Sequence, residues 1–66
     1  MLTDAQICTI LKFVKENPGK EFHTMDRDIS LCLDEIRPYV TGYEHKVRGF
    51  SYTGLSSRGE FFLANN

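Results

Sequence analysis

As a succession of apolar and polar positions, the chain changes period once. Ile7, Ile10, Leu11 and Val14 follow the i, i+3, i+4, i+7 spacing that gathers apolar side chains on one helical face. Thr3-Asp4-Ala5-Gln6 ahead of them has the form of a capping box: the threonine hydroxyl accepts from the Gln6 backbone amide and the Gln6 side chain reaches back. Leu2 and Ile7 flank the cap as a hydrophobic staple. Asn17-Pro18-Gly19 closes the run, which predicts a helix over residues 4–16.

A connector with a short extended piece around Phe22 follows. Ile29, Cys32, Leu33, Ile36 and Val40 then resume the helical spacing, starting near Asp26 or Asp28, where acidic side chains suit a helix N-terminus. Pro38 falls late in this run and predicts a fray or kink near Arg37. The same stretch holds a helix-turn-helix only if its first helix is a single turn ending near Ser30.

After Gly42 the period drops to two. Tyr43, His45 and Val47 alternate with Glu44 and Lys46, and Phe50 and Tyr52 alternate with Ser51 and Thr53. Arg48-Gly49 between them reads as a two-residue hairpin connection with glycine at a positive φ. That register sets Val47 opposite Phe50 and His45 opposite Tyr52, with Tyr43 on the same face. Ser57 and Glu60 form a second capping box and predict a short terminal helical turn, whose Phe61, Phe62 or Leu63 packs under the hairpin. The fold class is α+β: two to three helices, a β-hairpin and a short C-terminal helical turn.

Length confines this pattern to one domain, residues 1–66, with a small core and a thin stability margin. No stretch approaches a membrane span, and no basic, apolar leader opens the chain. Cys8 and Cys32 both fall on apolar helical stripes, so the expectation is two buried, reduced thiols in a cytoplasmic protein. The formal net charge of −1 argues against bulk attraction to nucleic acid. Divided along the chain it says something different. Residues 1–35 hold seven acids against four bases, a net of −3, whereas residues 36–66 hold four bases against two acids, a net of +2.

Candidate chemistry is sparse. Cys8, His23, Cys32 and His45 are metal-ligand types, but no close pair among them gives a local chelate. Their bland assignments are two stripe cysteines, His23 in a loop, and His45 on the inner hairpin face near Tyr52. The serines are accounted for by capping, the paired carboxylates by a solvated helix surface, and no phosphate-binding glycine loop occurs. We expect no catalytic residues, no metal, no cofactor and no enzymatic activity. More informative are Phe13 and Leu31, large apolar side chains that lie off the inner faces of their helices and so mark a second contact surface.

The order helix, connector, helix, hairpin, short helix resembles the winged-helix (winged helix-turn-helix) family. Its ending carries the more specific likeness: Leu55, Ser56, Gly59 and Phe62 match the Leu-[Thr/Ser]-x-x-Gly-x-x-[Phe/Leu] segment by which many bacterial regulators and small phage-related winged-helix proteins leave the wing. The resemblance implies a small winged-helix-like domain whose second helix-turn-helix helix lies between Ser30 and Gly42, with Arg48-Gly49 as the wing tip. It implies a DNA-associated or transcription-regulatory role, with double-stranded DNA contacted weakly through Lys46, Arg48 and Arg58. The recognition segment departs from the pattern. It bears Asp34 and Glu35 behind Asp26 and Asp28, it is about a turn short, and Pro38 interrupts it; carboxylates facing phosphates are repelled. A homodimer or protein partner is therefore expected as well. The competing reading is a protein-protein interaction adaptor on the same scaffold, presenting Phe13, Leu31, Asp34 and Glu35 and not binding DNA.

Overall fold

The computed structural model describes residues 1–66. Helix α1 runs Asp4–Glu16, with both halves of the Thr3–Gln6 capping box formed. Its stripe of Ile7, Ile10, Leu11 and Val14 is buried, and Leu2 joins the same core. Asn17-Pro18-Gly19 then turns the chain into strand β1, Glu21–His23. Two bonds tie this turn to the second half of the chain: the Tyr52 hydroxyl donates to the Asn17 carbonyl at 2.7 Å, and the Gly19 amide donates to the Thr53 carbonyl at 3.0 Å.

The second helical run is divided. A single turn, α2, Arg27–Ser30, is capped by the Asp26 carboxylate, which accepts from the amides of Asp28 and Ile29. After Leu31 and Cys32 the chain tightens into a 3-10 helix, η1, Leu33–Tyr39. The first helix ends at Ser30, the condition that a helix-turn-helix in this stretch had to meet, whereas the apolar spacing predicted one continuous run. The second is not an α-helix that frays at Arg37. Leu33, Ile36 and Tyr39 stand three apart, which is the repeat of a 3-10 helix, and Leu33 and Ile36 are fully buried. In an α-helix the Pro38 ring would clash with the carbonyl four residues back, which removes the competing geometry.

Strand β2, Val40–Thr41, leads through Gly42 into the hairpin β3, Glu44–Lys46, and β4, Gly49–Ser51. Strand β5, Gly54–Leu55, returns to pair antiparallel with β2, and α3, Ser57–Ala64, follows. The main sheet is antiparallel in the order β1-β4-β3, so the hairpin is flanked by the early strand; the fold is α+β and winged-helix-like.

The hairpin register differs from the alternation reading by two residues, so that the faces are kept but the partners change. Phe50 pairs with His45 on one side and with Phe22 on the other, and the connection is Val47-Arg48. Arg48, not Gly49, adopts the positive φ, 58°. Gly49 is needed for another reason: a Cβ there would collide with the Phe22 carbonyl oxygen of β1 and with the His23 ring. Val47, expected on the inner face, is therefore a turn residue and 87% exposed. His45 is also exposed, bonded to Tyr43 and not facing Tyr52.

The core draws on α1, η1, Val40, Phe50 and Tyr52, with Phe50 touching the rings of Phe22, Tyr43 and Tyr52. Each fully buried aliphatic or aromatic side chain contributes roughly 1.5–3 kcal/mol. The N-cap of α3 is Ser56, one residue before the serine expected, and it accepts from the Gly59 amide. Nor does α3 pack under the hairpin. It docks on η1, where Phe62 meets Tyr39 edge-on at 5.3 Å and the Ser56 hydroxyl donates to the Pro38 carbonyl at 2.8 Å. The helices meet closely at Gly59, whose α-carbon faces the Tyr39 carbonyl. Leu55, Ser56, Gly59 and Phe62 are thus the residues that seat the terminal helix.

Candidate functional site

Three exposed regions hold the candidate residues: the hairpin, the α2–η1 edge, and the seam between α1 and α3. On the hairpin, Lys46 and Arg48 come close in sequence and space, but their charges differ in availability. The Lys46 ammonium sits 3.1 Å from the Glu44 carboxylate, and that bond, with the nearby Glu44 and Glu21 charges, raises its pKa. Glu21 in turn lies 3.3 Å from His23, which is a strand residue with an acidic partner and not a loop residue. The outer sheet face is therefore internally paired. Arg48 at the turn and Arg58 in the first turn of α3 are exposed and have no ion-pair partner.

Between hairpin and η1, the Arg37 guanidinium lies 4.6 Å over the Tyr43 ring. The Tyr43 hydroxyl is 3.1 Å from His45 Nδ1, and the ring stacks on Phe50. Burial raises the Tyr43 pKa, and the Arg37 charge opposes that rise. Arg37, the one cation on η1, is thus engaged by an aromatic face.

At the α2–η1 edge, Leu31 is 71% exposed, as its position off the inner face required. It borders a groove of about 400 Å³ lined with Met1, Leu2, Gln6, Asp28 and Cys32. Asp34, in the first turn of η1, is also exposed. Glu35, expected on the acidic surface, is half-buried and occupied: it accepts from the Leu2 amide at 2.9 Å and lies 3.9 Å from the Met1 ammonium. That ammonium donates to Cys32 Sγ at 3.3 Å, which is the main cause of its raised pKa. Phe13, 36% exposed, is partly covered by Phe22 of β1, whose ring meets it edge-on at 5.5 Å. Leu31 and Asp34 therefore remain as open surface, Phe13 keeps an exposed part beside Phe22, and Glu35 is engaged by the N-terminal residues.

Sequence reading missed the seam where Lys12, Lys15 and Glu16 of α1 and Leu63 of α3 enclose a notch of about 580 Å³. No signal in one helix reveals it, because it exists only once α3 lies along α1. Met25, 85% exposed, was also missed. It stands in the capping segment, where Thr24 Oγ1 accepts from the Asp26 amide, outside any periodic run. Cys8 and Cys32 are free and only partly buried, a correction to the fully buried thiols expected. No group of three or more His, Cys, Asp and Glu side chains is placed to hold a metal ion, and no helix is long and apolar enough to cross a membrane. Compared with protein-family models, curated proteins and solved structures, the chain has no significant match.

Proposed function

We propose that this domain is a non-enzymatic protein-binding module on a winged-helix-like scaffold, acting in the cytoplasm with both thiols reduced. One observation carries the reading: the segment that would enter a major groove is a short 3-10 helix whose one outward cation, Arg37, is engaged by the Tyr43 ring. Its inner face, Leu33 and Ile36, lies in the core, α3 is seated against Pro38 and Tyr39, and its outward charges are Asp34 and a ring-bound Arg37. Beside it Leu31 stands open next to a groove that also holds Asp28, an exposed apolar side chain of the kind that protein partners cover. Selection of peptides displayed on a library tests it. Wild type is expected to enrich apolar sequences with basic flanks, and Leu31→Asn should lose them; a selection that yields nothing dependent on Leu31 refutes the reading.

A second reading, weak duplex contact through the wing, has its own support in the unpaired, exposed Arg48 and Arg58. Under it, fluorescence anisotropy on duplex DNA should give binding that falls with salt and falls further in Arg48→Ala. Absence of binding at ~50 mM salt removes it, since that ionic strength leaves phosphate contacts largely unscreened.

A further inference from the structure

The exposed edge at α2 and the α1–α3 notch each join an apolar side chain to unpaired charges of both signs, and so can be matched in polarity and charge. Arg27 and Asp28 of α2 and its C-cap Leu31, which keeps helical φ and ψ, fall at i, i+1 and i+4, so Leu31 shares its side with both charges. In the notch, Leu63 supplies the apolar wall, with Lys12, Lys15 and Glu16 around it. Lysine stems extend that apolar lining while their ammonium groups stay at the rim. None of these five charges has an ion-pair partner within the chain; the three ion pairs of the domain are Met1–Glu35, His23–Glu21 and Lys46–Glu44.

The two surfaces cannot meet within one molecule. The groove at Leu31 is bounded by Gln6, near the start of α1, and the notch by Lys15, near its end, about 13 Å further along the helix at 1.5 Å per residue. At 100° per residue those two positions also fall on opposite flanks of α1, roughly half a turn apart.

Resting on the protein-binding reading above, we infer that the partner at this edge is a second copy of the same chain, docked head to tail. Leu31 of one copy enters the notch of the next and covers Leu63, Asp28 meets Lys12 and Lys15, and Arg27 meets Glu16. Such a contact uses two different patches, so each bound copy still presents one free edge and one free notch, and association continues into a ring or an open chain. With three residues on one side and four on the other, against roughly 20–30 a side in a stable interface, the contact is weak and visible only at high concentration.

Sedimentation equilibrium on the full chain tests it, with variants confined to exposed or rim positions. Wild type is expected to grow beyond dimer as concentration rises to ~1 mM, the range in which a contact of this size is populated. Asp28→Asn/Leu31→Asn spoils the edge and Lys12→Glu/Lys15→Glu spoils the notch; each alone should be monomeric, with circular dichroism and Tm unchanged. Mixed in equal amounts they should form a dimer that does not grow, because one good edge and one good notch remain. A wild type that stays monomeric, or a mixture that fails to pair, overturns the inference. If peptides dependent on Leu31 are nonetheless selected, only self-docking falls; if none are, the protein-binding reading falls with it.

Discussion

Gly59→Ala sets two physical effects of opposite sign against each other. Gly59 is the third residue of α3, and by intrinsic propensity an alanine there stabilises the helix by about 1 kcal/mol. Packing acts the other way. A Cβ at this position would overlap the Tyr39 carbonyl oxygen, with the carbonyl carbon at 3.1 Å and Leu55 Cδ2 at 3.2 Å. The obstacle is backbone and cannot rotate aside, so α3 must move off η1 by about an ångström, an overpacking strain of typically 1–3 kcal/mol. That movement also stretches the Ser56–Pro38 bond, worth about 1 kcal/mol, and the Tyr39–Phe62 edge contact, worth about 0.5–1.5 kcal/mol. The net expectation is a loss of about 2 kcal/mol. At 0.05–0.15 kcal/mol per residue the whole domain has roughly 3–10 kcal/mol, so the loss is a large share. Thermal unfolding followed by far-ultraviolet circular dichroism should show Tm lowered by roughly 8–16 °C, and urea titration a lower midpoint. A variant as stable as wild type, or more so, would refute the close helix contact and leave propensity as the governing effect.

Two further outcomes follow from the same geometry. Arg48 holds a left-handed φ of 58° that costs a non-glycine residue about 1–2 kcal/mol, so Arg48→Gly should raise the urea midpoint by an amount worth roughly 0.5–1 kcal/mol. A lowered midpoint would mean that the side chain contributes more than the strain removes. Burial holds the Tyr52 phenol above its ordinary 10.0, and its hydroxyl donates to the Asn17 carbonyl. The folded state therefore keeps this proton more tightly than the unfolded chain, so the contribution is complete below pH 10 and is lost as pH rises through the higher folded value. Tyr52→Phe should cost about 1 kcal/mol at neutral pH and make the alkaline loss of stability shallower; urea midpoints across that range that fall in parallel for both proteins would exclude Tyr52 as its source.

Where a structural rule acts within a few residues, the chain disclosed it. Helix α1 has the predicted bounds because its cap, stripe and stop are all local to it. The break after Ser30 was legible only as the condition for a helix-turn-helix, since the apolar spacing runs on from Ile29 to Val40 as one helix. What escaped depended on contacts between distant segments. A glycine beside an arginine in a hairpin reads as the turn residue, but Gly49 is reserved by β1 crossing next to it, which displaces the turn onto Val47-Arg48 and carries the register with it. Likewise, nothing near Glu35 indicates that its carboxylate serves the amide of Leu2, thirty-three positions away. Leu31 was legible as an open surface because exposure of one side of a short helix is a local matter. The notch that fits it was not, because two helices from opposite ends of the chain make it.

The placement of β1 also decides when the domain can form during synthesis. Its one partner strand is β4, and the turn before it is fastened to Tyr52 and Thr53, some thirty-five positions later. A growing chain that has reached Tyr43 can form α1, but its strand has no neighbour and its apolar stripe has only part of its cover. Loop closure over that distance comes before the contacts that reward it. Folding of the first half therefore waits on translation of the second, and the nascent α1 stripe is exposed to chaperones and to neighbouring chains until Phe50 has emerged.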